Sequence, residues 1–343
     1  MVNKTILITG GCGFVGHHFV EHFIKTLPEA RIIVMDKLNY SGSLDRLRDI
    51  ECYPRGNVQV LTSDFSLPIS ENVQKELKDV THIIHMGAES HVDNSITNPE
   101  PFVVSNVLGT MHMLNLARKL ERLETFYYFS TDEVYGPADL HDEVGYGEFS
   151  PDFPANPYAA SKAGGDMLVK AFCNTYGIKC ITTRTMNIVG ERQHPEKFLP
   201  LCINKLLKGE TIFIHGTPDK LTAGRRTYIH ARNVANAYSF LMSKDIFSDT
   251  PPDFYKNYRV YNIVGEKEVS NLELASMISE ILQEPLHYEI VDFHSSRPGH
   301  DIKYKMSGKK LASLGWTPPV DLYNSVRKTV LWYLENKKWL QKS

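Results

Sequence analysis

The stretch Gly10-Gly11-Cys12-Gly13-Phe14-Val15-Gly16 constrains this chain more than any other. It lies between a short apolar run at residues 6–8 and a helix-periodic run at residues 14–27. Glycines at the spacing of Gly10, Gly13 and Gly16 permit a tight turn, close approach of the backbone to a ligand, and close helix–strand packing. The N–H groups at the start of the helix, around Phe14 and Val15, then face a pyrophosphate. A glycine turn alone is a weak signal, and its context decides.

That context is a strand–helix alternation. Strand signals recur at residues 31–35, 58–61, 80–86, 125–129 and 179–183, with helical periodicity at 101–120 and 157–176. Such alternation implies crossover connections and a parallel sheet covered on both faces, a Rossmann-type doubly wound α/β fold. After about residue 190 the prolines at 195, 200, 218, 251, 252, 298, 318 and 319 break the chain into shorter pieces. We expect residues 1–190 to form a dinucleotide-binding domain. Residues 191–343 are expected to form a smaller α/β lobe, partly interleaved with it because some strands return late. Amphipathic helices are predicted at 271–282 and 323–334, and a surface loop at 140–153.

Asp36 ends the second strand, 20 residues after Gly16. A carboxylate there accepts hydrogen bonds from an adenosine ribose and repels a 2′-phosphate, which favours NAD over NADP. Lys37 comes next and softens that preference, and a simple turn cap is the plainer alternative for Asp36. Asp64-Phe65 after the third strand is read as bracketing an adenine, or as a turn acid beside a core aromatic.

Two further groups carry chemistry. Ser130-Thr131-Asp132-Glu133 comes after the fifth strand, at the strand ends where ligands bind in such sheets. Adjacent carboxyls can hold different protonation states and act as an acid/base pair, although an exposed Asp-Glu pair is commonly a solvated turn. Tyr158 and Lys162 stand four residues apart, on one helix face. An ammonium near a phenol lowers its pKa and makes tyrosinate a usable base; a surface helix pair is the alternative.

Composition narrows the rest. With 38 Lys and Arg against 40 Asp and Glu, the net charge of −2 gives no global basic field for nucleic acid or an anionic membrane. No run of about 18 apolar residues is present, so no membrane span is expected. The five scattered cysteines show neither a disulfide framework nor zinc spacing, so no metal site is expected and a reducing, cytoplasmic setting is.

Taken together, these motifs resemble the extended short-chain dehydrogenase/reductase group, and within it the nucleotide-sugar 4,6-dehydratases. The supporting stretches are TGGCGFVG (9–16), GAESHVDNSI (87–96), STDEVYG (130–136), NPYAASK (156–162), HPEKFLP (194–200) and RPGHD (297–301). The resemblance implies a lyase with regenerated NAD, acting on a nucleoside-diphosphate hexose, dTDP-glucose or UDP-glucose. Oxidation at C4, loss of water across C5 and C6, and hydride return to C6 would give the 4-keto-6-deoxy sugar nucleotide. Tyr158 with Lys162 would serve C4, Glu133 would take the C5 proton, Asp132 would protonate the leaving 6-hydroxyl, and Thr131 would bind near O4.

It further implies substrate contacts at Ser90, His91, Asn187, Lys197, Arg226, Asn262, Arg297 and His300, and a homodimer built on the helices at 101–120 and 157–176. Departures from the family pattern, at Asn187-Ile188-Val189-Gly190 and Arg226-Thr227-Tyr228, leave the nucleobase open. The competing activities are a UDP-sugar 4-epimerase or UDP-glucuronate decarboxylase on the same fold. A non-catalytic NAD-binding sensor is the third reading.

Overall fold

The computed structural model describes residues 4–39, 41–54, 56–139, 142–248, 256–292 and 303–341. Its centre is a seven-stranded sheet. In chain order the first six strands are β1 (Thr5–Thr9), β2 (Arg31–Asp36), β3 (Val58–Thr62), β4 (His82–His85), β5 (Thr125–Thr131) and β6 (Cys180–Thr185). The seventh, β11 (Tyr258–Ile263), arrives after four short strands of the other lobe: β7 (Ile188–Val189), β8 (Ile212–Gly216), β9 (Arg225–Thr227) and β10 (Ile229–His230). The order across the sheet is β11-β6-β5-β4-β1-β2-β3, and every neighbouring pair is parallel. All strand C-termini therefore open on one edge, where such sheets gather ligands.

Strands β1 and β2 read as near-continuous apolar runs because both faces are covered. On one face Ile6, Ile8, Phe19, Val20 and Tyr238 pack with α1 (Phe14–Thr26) and α9 (Ala231–Ser243). On the other, Leu7, Ile33, Met113 and Val169 pack with α6 (Gly109–Ala117) and α7 (Pro157–Tyr176). Helix α7 starts with Asn156 as cap and Pro157 in its first turn, and stops at Gly177, which is left-handed at φ 70°. Both ends obey the usual residue preferences for helix termini.

The helix expected over 101–120 is not continuous. It begins as α5 (Glu100–Val103), widens into a π-turn at Val104–Leu108 and resumes as α6. The wide turn carries Asn106, whose amide donates to the Ser161 hydroxyl and to the Glu89 carbonyl, both at 2.9 Å. Local widening of this kind re-aims a side chain inside a helix.

The second lobe builds an apolar cluster of its own. Leu199 and Ile203 of α8 (Phe198–Leu206), Ile214 of β8, Leu274 and Ile278 of α10 (Asn271–Leu282), and Val326, Val330 and Tyr333 of α12 (Leu322–Glu335) meet there. Ser270 and Glu273 form a reciprocal capping box that starts α10. Three two-stranded pairings frame this cluster: β10 with β7, β9 with β12 (Glu268–Ser270), and β8 with β13 (Tyr288–Asp292). Among the described residues no helix is long and apolar enough to cross a membrane.

Candidate active site

The glycine turn between β1 and α1 is a cradle with no room for side chains. Gly10 holds φ at +69°, and a Cβ there would lie 2.7 Å from the Gly87 Cα. A Cβ on Gly16 would lie 2.2 Å from the Gly10 carbonyl oxygen. Gly13 caps α1 without a side-chain acceptor, so the first-turn N–H groups at Phe14 and Val15 are left to an outside anion. That geometry fits the pyrophosphate of a dinucleotide.

Asp36 is buried at the edge of the cradle. Its Oδ2 accepts the Cys12 N–H at 3.0 Å and its Oδ1 accepts the Leu38 N–H at 2.9 Å. The residue therefore does cap a turn, and the same carboxylate also fixes the glycine loop. Gly42 lies so close that a Cβ would meet Oδ1 at 2.5 Å. Lys37 turns to Glu89 instead, at 3.0 Å. Asp64 closes a turn by accepting the Ser66 N–H at 2.9 Å. Phe65 is buried beside Gly87 and Gly109, with its ring edge-on to His85 at 5.1 Å.

The chemical groups gather where β5 ends and α7 begins. Thr131 is the last residue of β5, and it leads into a short 3-10 turn, Asp132–Tyr135. The Thr131 hydroxyl accepts the Glu133 N–H at 3.4 Å and donates to Asp132 Oδ1 at 3.1 Å. Asp132 is 6% exposed. Burial, then the charge of Glu133, push its carboxyl up to about 7, against the opposing pull of Thr131 and Arg226. Glu133 is half-buried, and the Asn156 amide donates to its Oε2 at 2.8 Å. Two like groups side by side thus have unlike surroundings.

Tyr158 sits in the first turn of α7, its N–H donating to the Ser95 hydroxyl at 3.1 Å. Burial raises its phenol pKa, Glu133 and Asp132 add to this, and a hydrogen bond with Thr131 works the other way. The phenol's pKa is thus raised, not lowered as the Tyr-Lys spacing led us to expect, because burial outweighs the hydrogen bond. Lys162 is buried one turn further on. Its ammonium donates to the Phe129 carbonyl at 2.6 Å and lies 4.3 Å over the Tyr128 ring. Burial pulls its pKa down to about 7, opposed by Asp166.

The residues expected to hold substrate are distributed less evenly. Arg226 in β9 acts electrostatically on Asp132 and lies 5.1 Å over the Tyr304 ring. Asn187 occupies the bend between β6 and β7 at φ +28°, its carbonyl accepting the Ile229 N–H at 3.3 Å. His91 caps α4 (Val92–Thr97), its Nδ1 accepting the Asn94 N–H at 3.4 Å, and Ser90 beside it is exposed. Lys197 is exposed at the start of α8. Asn262 is different: it is fully buried in β11, and its amide is committed to the Tyr135 hydroxyl and to the carbonyls of Tyr146 and Ser307. Arg297 and His300 lie outside the described residues.

Sequence reasoning singled out neither Asn156 nor Ser95. The signal for Asn156 was present, since an Asn before a first-turn proline is a helix-cap pattern. Ser95 carries no pattern of its own.

A parallel sheet with a glycine cradle at its first crossover, and Thr-Asp-Glu and Tyr-x-x-x-Lys groups at its strand ends, defines a short-chain dehydrogenase/reductase of the extended type. A family model described as GDP-mannose 4,6 dehydratase matches residues 7–329, and the chain belongs to this family of nucleotide-sugar dehydratases. It is 35% identical over 356 residues to the dTDP-glucose 4,6-dehydratase of Salmonella typhimurium, covering 98% of this chain and 94% of that protein. It is also 33% identical to a trifunctional UDP-glucose 4,6-dehydratase/UDP-4-keto-6-deoxy-D-glucose 3,5-epimerase/UDP-4-keto-L-rhamnose-reductase of Arabidopsis thaliana, aligning over 98% of this chain. It spans only 48% of that protein. Among solved structures, DesIV, a dTDP-glucose 4,6-dehydratase from Streptomyces venezuelae with NAD and TYD bound, superposes with a TM-score of 0.85 at 32% identity. That match covers 98% of this chain and 99% of the other.

Proposed function

We propose that this chain is a hydro-lyase that converts a nucleoside-diphosphate hexose, dTDP-glucose or UDP-glucose, to its 4-keto-6-deoxy derivative with NAD as regenerated cofactor. The observation that carries this reading is the split between Asp132 and Glu133. Asp132, buried beside a second carboxyl, has its pKa pushed up to about 7, whereas Glu133 accepts from the Asn156 amide, a donor that favours the carboxylate. A 4-epimerase needs one base at C4 and no such pair. Removal of water across C5 and C6 needs both an acid and a base.

Residues 10–16 and Asp36 would hold the dinucleotide, and NAD, when bound, supplies reversible two-electron oxidation of the sugar. In its phenolate form, which burial here disfavours, Tyr158 takes the proton of the sugar 4-hydroxyl as C4 becomes a ketone, and Thr131 hydrogen-bonds beside it. Lys162, one turn further along the same helix, is the proposed cationic partner of that phenol while it holds its own proton. The 4-ketone makes the C5 hydrogen acidic, and Glu133 takes it. Asp132 gives its proton to the 6-hydroxyl, which leaves as water. Arg226, with Lys197 and Arg297, supplies cations for the diphosphate, since guanidinium forks pair with phosphate oxygens. Asn187, Ser90, His91 and His300 complete the proposed sugar-nucleotide contacts.

In this reading residues 1–190, with the returning strand β11, hold the cofactor, and residues 191–343 provide most of the substrate lobe. The product belongs to cytoplasmic deoxysugar synthesis, rhamnose included. The helices Glu100–Val103 and Pro157–Tyr176 expose Val103 and Met167, and Leu108 stands out from the π-turn between them, which suits a two-fold helical interface. Met167→Glu with Leu108→Glu should then convert a dimer to a monomer in sedimentation, and a monomeric wild type removes this part.

The direct test is incubation with dTDP-, UDP-, GDP- and CDP-hexoses, read by mass. Loss of one water with retention of the nucleotide supports the reading. Isomerisation at constant mass or release of carbon dioxide points to the competing activities. Binding of NAD and sugar nucleotide with no turnover points to a sensor.

A further inference from the structure

Asn156 has no chemical step in the proposed reaction, yet it touches two parts of the site. It is 6% exposed. Its Oδ1 accepts the Ala159 N–H at 2.8 Å and so caps the helix that carries Tyr158 and Lys162. Its Nδ2 donates to Glu133 Oε2, also at 2.8 Å. An amide has one accepting end and one donating end. The helix cap takes the acceptor and thereby directs the donor at Glu133.

We propose that Asn156 is a positioning residue for proton abstraction at C5, donating to the Glu133 carboxylate and holding it in register with helix α7. The inference rests on the dehydratase reading. In the step concerned the C5–H bond breaks, its electron pair moves into the ketone-conjugated carbon framework, and the proton forms an O–H bond on Glu133. A donor on the carboxylate favours the ionised form that must accept this proton. Among the described residues, titratable groups acting here include Asp132, adjacent in the chain, and Tyr158, on whose phenol the charge of Glu133 acts. Both disfavour a charge on Glu133 once they are themselves ionised, so the amide opposes them.

A purely capping role makes a different prediction. Asn, Asp and Ser cap helices about equally well. Asn156→Asp keeps an acceptor for the Ala159 N–H but sets a second carboxylate against Glu133. Asn156→Ser keeps a cap and removes the amide donor. Capping alone therefore makes both substitutions silent.

The experiment uses the full chain with whichever of dTDP-glucose and UDP-glucose the wild type turns over. Oxidation at C4 is read as the near-ultraviolet absorbance of the reduced cofactor, and C5 deprotonation as deuterium uptake from heavy water. Thermal melts accompany both. Asn156→Asp and Asn156→Ser should melt with the wild type and retain C4 oxidation. Asn156→Asp should slow C5 exchange about tenfold or more, the size expected for a hydrogen bond to a charged group. Asn156→Ser should slow it less. Exchange at the wild-type rate in Asn156→Asp, or C4 oxidation falling in parallel with exchange, overturns the proposal. A wild type that forms no 4-keto-6-deoxy product overturns the dehydratase reading instead.

Discussion

The ammonium of Lys162 donates to the backbone carbonyl of Phe129 at 2.6 Å, tying the first turns of helix α7 to the end of strand β5. The site's cation is thus anchored in the sheet, with the Tyr128 ring beneath it.

This burial makes stability depend on pH. Lys162 holds its proton only below about 7 in the folded chain, whereas an unfolded lysine holds it to about 10.4. Across that window the unfolded chain binds more protons, so folding stability rises with pH. Denaturation midpoints should climb between about pH 7 and about 10 in the wild type. In Lys162→Met that climb should disappear.

Separate variants should divide the reaction. Tyr158→Phe removes the base at the 4-hydroxyl and should lower both C4 oxidation and product formation by about 10²–10⁴-fold. Asp132→Asn touches only the leaving 6-hydroxyl and should depress water loss far more than C4 oxidation. Single-turnover absorbance of the reduced cofactor, set against product mass, separates the two. Equal loss of C4 oxidation in both variants would overturn the assignment.

Much of the sheet was legible in the sequence. Apolar runs such as Thr5–Thr9 and Arg31–Asp36 are strong because both faces are buried, and the glycine turn fixes where the first helix starts. The short strands of the second lobe were not legible. Pairs such as Ile229–His230 with Ile188–Val189 are too brief for periodicity to register. The π-turn at Val104–Leu108 was hidden because the helical periodicity over 101–120 runs through it without a break. In the site, Thr131, Asp132, Glu133 and Tyr158 were readable as motif residues and come together as such. Asn262 was misleading, because motif position says nothing about which way a strand residue faces.

Asp166 should govern stability. It is fully buried on α7, accepting from Arg184 at 2.8 Å, the Tyr258 hydroxyl at 2.9 Å and the Thr182 hydroxyl at 3.0 Å. Asp166→Ala leaves the Arg184 guanidinium without this inner partner and should cost about 3–5 kcal/mol in a urea titration. A loss within the range of ordinary surface substitutions would show that Asp152, 2.9 Å from Arg184, suffices alone.

Asp36 should couple cofactor choice to loop order. Asp36→Ala removes the acceptor of the Cys12 N–H as well as the charge that repels a 2′-phosphate. Calorimetric titration should show NAD affinity falling about tenfold and the NAD-over-NADP preference shrinking. An unchanged ratio of the two affinities contradicts this role.

Strand β11 has a consequence for how the protein is made. Its partner β6 is complete by residue 185, but Tyr258–Ile263 emerges from the ribosome some 70 residues later. Until then the nascent chain carries a bare β6 margin with its backbone groups unpaired on that side, the kind of edge that pairs with the wrong neighbour. Any shortened transcript that stops after Ser243 would keep the glycine cradle and the Tyr158 helix yet leave that margin open for good.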